Sequence, residues 1–208
     1  DELEIDRSTV FVSLGGGVTS DLMGFLAATY LRGVPLVHIP TSLLAMVDAS
    51  VGGKVGVNTE KGKNRVGSFY PPLFVYVCTH VLETLAPQEH LCGLGEILKH
   101  GILGDQKILD ICASLDGSVV CSLDPDLLEE LLFRNCSVKA AIVQQDEFEQ
   151  GLRALLNLGH TTGHALESAL EHRIPHGICV AWGLLLELDW AVRRGVLKKE
   201  ILQDIHQL

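Results

Sequence analysis

The sequence predicts an α/β unit built on a parallel sheet, followed by a unit made only of helices. An apolar run at residues 10–14 precedes glycines at 15–17, a helical pattern over 20–31 and a second apolar run at 35–39. This order predicts a β-α-β unit, whose two strands lie parallel and are joined by a right-handed crossover. From Pro87 onward the strand-like runs stop and helical patterns take their place.

A change in composition near residue 85 predicts two domains, residues 1–85 and residues 86–208. Within the first, the glycine-rich segment 51–72 predicts a hairpin or an ordered loop, and 74–78 predicts another buried strand. Within the second, helices are expected near residues 88–101, 105–115, 125–147, 160–171, 177–194 and 198–207. Both chain ends fall close to regular patterns, so we expect a fragment of a longer protein.

Composition excludes several classes of protein. The net charge is −10 and the pI is about 5.3, so general attraction to nucleic acid or anionic lipid is not expected. The apolar stretches fall short of the roughly 20 residues that cross a bilayer, and no signal peptide precedes them. We therefore expect a cytoplasmic protein. Its 6 cysteines form no C-x-x-C pair, which favours reduced thiols in the core.

The glycines Gly15, Gly16 and Gly17 stand between a predicted strand and a predicted helix. Such a turn lets main-chain amides approach a phosphate at the positive end of a helix. Ser20 occupies the place of the third glycine in the usual dinucleotide fingerprint. A phosphate cradle and a plain tight turn therefore both remain open.

Lysines cluster in the glycine-rich segment of this otherwise acidic chain. Lys54 follows two glycines, and Lys61, Lys63 and Asn64 follow shortly after. The cluster suits a substrate phosphate, but a charged hairpin in solvent is the commoner explanation of such a pattern.

Potential metal ligands occur in the helical half. Glu96 lies three residues before Lys99 on one predicted helix face, and a surface ion pair is the ordinary explanation of that spacing. His160 and His164 are four residues apart, and His176 follows Pro175 at a predicted helix start. One carboxylate and two imidazoles would make a zinc site with an open position, although the spacing does not say which histidines bind. Thr161 stands where a metalloprotease needs its glutamate.

Three further side chains could hold a carboxylate and hydroxyl groups. Lys139, Arg153 and Asn157 are hydrogen-bond donors on the same stretch as the histidines, and an arginine can bind a carboxylate with two parallel hydrogen bonds.

Taken in order, these motifs resemble the 3-dehydroquinate synthase family. The resemblance is carried by GGGVTSDLMGF, RGVPLVHIPTSLLAMVDASVGGKVGVN, GKNRVGSFYPP, GLGEILKHG, DEFEQGLRALLNLGHTTGHALE and IPHG. It implies conversion of 3-deoxy-D-arabino-heptulosonate 7-phosphate to 3-dehydroquinate and phosphate in the shikimate pathway, with catalytic NAD and a divalent metal, Zn²⁺ or Co²⁺. It also implies that 1–85 is the C-terminal part of an NAD-binding domain and that 86–208 is a helical metal- and substrate-binding domain.

The resemblance also implies roles for individual residues. The implied metal ligands are Glu96, His160 and His176, while His164 stays unligated and relays protons. The implied catalytic residues are His164, Lys99, Lys54 and Asn64. The implied substrate contacts are Arg32, Asp48, Lys54, Asn64, Lys99, Lys139, Arg153, Asn157 and His164, with Arg32 reaching the neighbouring subunit of a homodimer. The implied cofactor contacts are Gly15, Gly16, Gly17, Asp21, Thr41, Ser42, Lys54 and Lys63.

Three other functions remain open. Another sugar-phosphate cyclase would act on a substrate without the carboxylate, and would leave Lys139, Arg153 and Asn157 without their anion. A metal-dependent polyol dehydrogenase would produce NADH. A catalytically inactive fragment would only dimerise or bind nucleotide.

Overall fold

A computed structural model describes residues 5–60, 62–115, 117–171 and 173–206, and the side chain of Lys63 also lies outside the described part. The chain separates into two compact units, Asp1–Thr84 and Leu85–Leu208. The first is an α/β unit and the second is helical, which confirms the predicted fold class.

The first unit contains a parallel sheet of three strands. These strands, in the spatial order β1-β2-β5, are β1 (Phe11–Gly15), β2 (Leu36–Pro40) and β5 (Phe74–Val75). Helix α1 (Gly17–Thr29) links β1 to β2. The middle strand is the most buried, and Ala27, Val34 and Leu36 form a small core beside it. The buried strand predicted over 74–78 is wrong in length and in burial, because only Phe74 and Val75 pair with β2 and Phe74 is exposed.

The glycine-rich segment forms an antiparallel hairpin of β3 (Lys54–Thr59) and β4 (Gly62–Phe69). The hairpin packs on α1 at Gly24, where a Cβ atom would lie 2.2 Å from Cγ1 of Val55. Only glycine permits this approach, which fixes the first residues of β3 beside the middle of α1.

The second unit consists of helices joined by short connections. Its α-helices are α2 (Pro87–Gly104), α3 (Gln106–Ala113), α4 (Pro125–Gln145), α5 (His160–Ala169), α6 (His176–Arg193) and α7 (Lys199–Ile205). Their starts have ordinary chemical causes, since prolines occupy the first turns of α2 and α4, and Asp105 and Asp124 cap α3 and α4. Helix α6 packs against both α2 and α5.

All 6 cysteines are free thiols, but only Cys92, Cys112 and Cys179 are buried, so the expectation of core thiols holds for half of them. Burial raises the pKa of Cys112 to about 12. Within the described ranges, no helix has the length and apolar content needed to cross a membrane.

Candidate active site

Helices α2 and α6 meet at a pair of glycines. A Cβ atom on Gly95 would lie 2.0 Å from the carbonyl oxygen of Gly177, and one on Gly177 would lie 1.7 Å from that of Cys92. The two main chains therefore touch directly, with no side chain between them. Glu96 follows Gly95 and His176 precedes Gly177, so this contact brings a carboxylate and an imidazole together.

Helix α5 approaches α6 in the same way. A Cβ atom on Gly163 would lie 2.9 Å from the carbonyl oxygen of Cys179. His164 follows Gly163 in the chain, and His160 lies one turn earlier on α5. The close approach therefore carries both histidines towards the start of α6, where His176 lies.

The four side chains converge. Glu96 Oε1 lies 3.3 Å from His160 Nε2 and 3.5 Å from His176 Nε2. One ring nitrogen from each of His160, His164 and His176 lies within 4.8 Å of the others. Glu96 is fully buried and His164 is exposed. The spacing indicated all four residues, but their convergence depends on the helix contacts.

These groups change one another's protonation. Burial alone would raise the pKa of Glu96, but the imidazoles of His160 and His176 and the ammonium group of Lys99 hold this pKa well below its usual range. Contact with Glu96 raises the pKa of His176, against the effect of burial. Glu96 is therefore a carboxylate at neutral pH, which is the form that binds cations.

The geometry fits a tetrahedral metal ion. Bonds of about 2.0–2.1 Å from zinc to nitrogen and oxygen ligands place neighbouring ligand atoms about 3.4 Å apart in a tetrahedron. The separations of 3.3 and 3.5 Å between Glu96 Oε1 and the two Nε2 atoms match that value. Two imidazoles and a carboxylate are also the ligand types that zinc takes in catalytic sites.

Two carboxylates support the histidines, and neither was predicted from the sequence. Glu187 of α6 accepts hydrogen bonds from the main-chain N–H groups of Gly159 (2.7 Å) and Thr162 (3.1 Å), so it caps the start of α5. Glu167 of α5 lies beside His176, with 3.3 Å between Oε2 and Nδ1. Helical spacing of seven residues from His160 could have indicated Glu167. No local pattern indicates Glu187, because its partners lie on another helix.

Buried cations accompany this cluster. The buried lysine and arginine side chains of the described helical unit are Lys99, Lys139 and Arg153. Lys99 pairs with Glu96, and the pair is buried, not at the surface as the ordinary explanation of this spacing would have it: the two side chains are 2% and 0% exposed. Arg153 lies on a 3-10 helical turn, Leu152–Asn157, which packs against α2 and α4, the helices of Lys99 and Lys139. Several buried cations require compensating negative charge.

The turn with Arg153 is held by Asp146. Its carboxylate accepts hydrogen bonds from the main-chain N–H groups of Gln150 (2.7 Å), Gly151 (2.8 Å) and Arg153 (2.9 Å). These hydrogen bonds lower the pKa of Asp146, although burial acts in the opposite direction. The hydrogen bond from Arg153 has the largest effect. Asn157 ends the turn and is exposed.

The side chain of Asn157 contacts an acidic residue that was not predicted from the sequence. Its Nδ2 donates to Glu149 Oε1 at 3.2 Å. Glu149 has a φ of 57°, in the left-handed region, so the turn places this carboxylate by an unusual main-chain conformation.

In the α/β unit, the glycine triplet lies where β1 ends and α1 begins. The N–H group of Thr41 donates to the carbonyl oxygen of Gly15 (2.9 Å), so the ends of β1 and β2 are adjacent. A Cβ atom on Gly16 would lie 3.3 Å from Ser42 Oγ, and the start of α1 has no side-chain cap. This is the edge of a parallel sheet where ligands usually bind, with helix N–H groups available for a phosphate.

A cavity of about 320 Å³ brings together three predicted residues of this unit, Asp21, Lys54 and Asn64. Asp48 lies on the π-helical turn Ala45–Ala49, and Arg32 is exposed after α1 with a left-handed φ of 65°. The predicted cofactor contact of Lys63 falls on a side chain outside the described part.

The fold and site define a class of protein: an α/β unit with a glycine turn at its sheet edge, and a helical unit with a buried carboxylate–imidazole cluster. Two family models match the chain, 3-dehydroquinate synthase N-terminal at residues 1–92 and 3-dehydroquinate synthase C-terminal at residues 93–208. The chain belongs to the 3-dehydroquinate synthase family.

Individual relatives are similar to the chain over nearly all of its length. The 3-dehydroquinate synthase of Symbiobacterium thermophilum is 46% identical over 200 residues, covering 96% of this chain and 56% of that protein. The chain thus spans little more than half the length of such relatives.

Two solved structures have a similar fold. One is 2-deoxy-scyllo-inosose synthase complexed with carbaglucose-6-phosphate, NAD⁺ and Co²⁺, with 29% identity, a TM-score of 0.87, and coverage of 99% of this chain and 56% of that one. The other is 2-epi-5-epi-valiolone synthase from Streptomyces hygroscopicus subsp. jinggangensis 5008 with NAD⁺ and Zn²⁺ bound, with 28% identity, a TM-score of 0.87, and coverage of 100% and 60%.

Proposed function

We propose that the chain carries the metal-binding and much of the substrate-binding machinery of a 3-dehydroquinate synthase. The reaction converts 3-deoxy-D-arabino-heptulosonate 7-phosphate to 3-dehydroquinate and phosphate, with NAD regenerated in each turnover. The observation that carries the proposal is the placement of Glu96 Oε1 at 3.3 and 3.5 Å from two imidazole nitrogens, within a chain of this family.

In this proposal Glu96, His160 and His176 hold a divalent ion, Zn²⁺ or Co²⁺. The ion would lower the pKa of a coordinated substrate hydroxyl, and NAD would accept and return a hydride. His164 is the exposed imidazole of the cluster, so it is placed to exchange protons with a substrate and with solvent. Its neighbours are partly buried, which suits their assignment as ligands.

The buried cations supply charge for an anionic substrate. Lys99, Lys139 and Arg153 would neutralise the phosphate and carboxylate groups, and Arg153 can form two parallel hydrogen bonds with a carboxylate. Asp146 orders the turn of Arg153, and Asn157 adds an amide donor for a hydroxyl group. Preorganised cations of this kind stabilise a departing phosphate without further rearrangement.

The α/β unit would supply the cofactor contacts. Gly15, Gly16 and Gly17 would admit the NAD pyrophosphate at the start of α1, with Thr41 and Ser42 at the adjacent strand end. The remaining assigned residues of this unit are Asp21, Lys54 and Lys63 for the cofactor, and Asp48, Lys54 and Asn64 for the substrate. The shared cavity of Asp21, Lys54 and Asn64 supports part of this assignment.

Phosphate release tests the proposal. Because the chain spans little more than half the length of its relatives, the assay uses the chain completed to their full length. This protein is incubated with 3-deoxy-D-arabino-heptulosonate 7-phosphate, with Zn²⁺ and NAD added or withheld, while phosphate and NADH are both measured. We expect phosphate release that needs both additions and no net NADH. No release with both additions present would contradict the proposal.

Substrate choice separates the rival functions. A hexose 6-phosphate lacks the carboxylate. Phosphate release from this substrate, without release from 3-deoxy-D-arabino-heptulosonate 7-phosphate, would indicate another cyclase. NADH accumulating on a polyol would indicate a dehydrogenase. Lys139→Gln should weaken use of the carboxylate substrate by about tenfold or more, the loss expected for a charged hydrogen bond. Lys198→Gln, at an exposed lysine, should leave it unchanged.

We also propose a cytoplasmic homodimer in which Arg32 contributes to the phosphate site of the partner subunit. Its support is the exposed position of Arg32 and the resemblance of the chain to the family. Sedimentation equilibrium tests the dimer. An Arg32→Ala dimer with unimpaired phosphate release would contradict the role of this arginine. With a net charge of −10, we expect no nucleic-acid partner.

A further inference from the structure

Glu167 is a buried carboxylate that the proposed reaction does not use directly. It lies on α5, where it is 6% exposed, three residues after His164. Its Oε2 atom lies 3.3 Å from Nδ1 of His176, which belongs to α6. A burial this deep requires a hydrogen-bond donor or a cation nearby, and the imidazole N–H of His176 meets that need.

The two nitrogens of His176 face different partners. Nδ1 faces Glu167, while Nε2 lies 3.5 Å from Glu96 Oε1, on the side of the proposed ion. If Nδ1 carries the proton and donates it to Glu167, the lone pair of Nε2 is left for a metal. The contact would then set both the tautomer and the direction of the ring.

His160 shows the same arrangement with a different acceptor. Its Nδ1 lies 3.3 Å from the carbonyl oxygen of Leu158, and its Nε2 lies 3.3 Å from Glu96 Oε1. Each of the two imidazoles therefore has an oxygen atom near Nδ1 and the carboxylate of Glu96 near Nε2. The acceptor is main chain for His160 and a side chain for His176, so substitution can remove only the second.

We propose that Glu167 is a positioning residue that holds His176 with Nδ1 protonated and Nε2 directed at the metal ion. This inference rests on the proposed function, because it presumes that Glu96, His160 and His176 bind an ion. An outer carboxylate of this kind orients a ligand and makes it more basic, and its loss costs about 10–100-fold in metal affinity.

The affinity of the chain for Zn²⁺ tests the inference, measured by competition with a chromophoric chelator. Glu167→Ala should bind Zn²⁺ about 10–100-fold more weakly. Glu167→Gln should lose less, because the amide oxygen still accepts the Nδ1 proton. The matched control is Glu171→Gln, at an exposed carboxylate paired with Arg173 just beyond α5, which should leave affinity unchanged.

The visible spectrum of bound Co²⁺ gives a second readout, which a merely structural role would not move. The visible absorption bands of Co²⁺ bound to Glu167→Ala should change in position and intensity relative to those of wild type, because a misdirected ring no longer coordinates the ion. Thermal unfolding of the metal-free variants is measured alongside. A lowered Tm with unchanged Zn²⁺ affinity and an unchanged Co²⁺ spectrum would overturn the inference.

The outcomes separate this inference from the proposed function. If the wild-type chain binds Zn²⁺, Glu96→Ala does not, and Glu167→Ala binds as tightly as wild type, the metal site stands and the positioning role is wrong. If the wild-type chain shows no saturable binding, both are wrong. Glu167→Gln conserves size and shape, so it keeps the test decisive if Glu167→Ala does not fold.

Discussion

Gly183 of α6 lies directly against Gly159 at the start of α5. A Cβ atom on Gly183 would lie 2.0 Å from the carbonyl oxygen of Gly159. Helix α6 thus touches the residue before His160 with its main chain, as it touches α2 beside Glu96. The positions of the candidate ligands therefore depend on glycines that have no chemistry of their own.

Gly95→Ala should damage both folding and metal binding. Its Cβ atom would lie 2.0 Å from the carbonyl oxygen of Gly177, a main-chain atom that can move only if the helices separate. We expect a loss of about 3 kcal/mol in the free energy of unfolding, together with weaker Zn²⁺ binding. Urea unfolding and chelator competition measure the two effects.

Gly104→Ala is the matched control on the same helix. Its Cβ atom would make an ordinary contact, 3.4 Å from Cγ1 of Val138. Because alanine favours helix, stability should be unchanged or rise by up to about 1 kcal/mol. Equal losses in the two variants would show that close packing at Gly95 is not the cause.

Single ligand substitutions should divide the four converging residues into two groups. Glu96→Ala and His176→Ala should lose stoichiometric zinc, because each removes one of three protein ligands. His164→Ala should keep the ion and lose turnover, since this exposed imidazole is assigned to proton exchange. Zinc content of the purified variants provides the measurement. Stoichiometric zinc in both ligand variants would contradict the assignment.

Glu187→Ala should destabilise the start of α5. The substitution removes the acceptor for the N–H groups of Gly159 and Thr162, and a lost cap costs about 1 kcal/mol. Chemical denaturation gives this value. Asp189→Asn serves as the control on the same helix, because its pair with Arg193 is exposed and worth at most about 0.5 kcal/mol. A larger loss for Asp189→Asn would argue against the capping role.

Protonation of Asp146 at low pH should reduce the stability of the folded chain. Its pKa in the folded chain is lowered by N–H donors from Arg153 and Gln150, so its contribution is fully present above its ordinary pKa of about 3.9. That contribution is lost as the pH falls through the lowered pKa of the folded state. Asp146→Asn cannot titrate, so its stability deficit relative to wild type should shrink between pH 5 and pH 2.

The pH prediction for Asp146 is checked by urea unfolding across that range. Asp110→Asn, on the exposed face of α3, is the control and should follow wild type at every pH. A constant deficit for Asp146→Asn would mean that the carboxylate charge is not what holds the turn of Arg153.

Much of the fold followed from local patterns in the sequence. The β-α-β order, the hairpin and the helices depend on periodicity, glycine turns and caps, which are properties of neighbouring residues. The end of β5 at Val75 was not predictable from the sequence, because the pairing with β2 stops at His38 although β2 continues to Pro40. The π-helical turn Ala45–Ala49 also lacked a local signal.

The candidate site was predictable only in part. Its histidines and Glu96 stand out by type and spacing, and the family resemblance added roles for them. Burial of the Glu96–Lys99 pair, the support from Glu187 and the approach at Gly95 arise from contacts between helices that are distant in sequence. Single-residue patterns carry no record of such contacts, so a buried ion pair and a surface one look alike.

The three proposed ligands lie on α2, α5 and α6, and the first and last of them, Glu96 and His176, are 80 positions apart in the chain. An ion bound to all three would act as a cross-link that closes long loops, which are costly in entropy for an unfolded chain. The free energy of ion binding would then add to the free energy of unfolding, by about 4 kcal/mol at a free-ion concentration 1,000 times the Kd. The supply of ions would then determine both the chemistry of the helical unit and the fraction of its molecules that is folded.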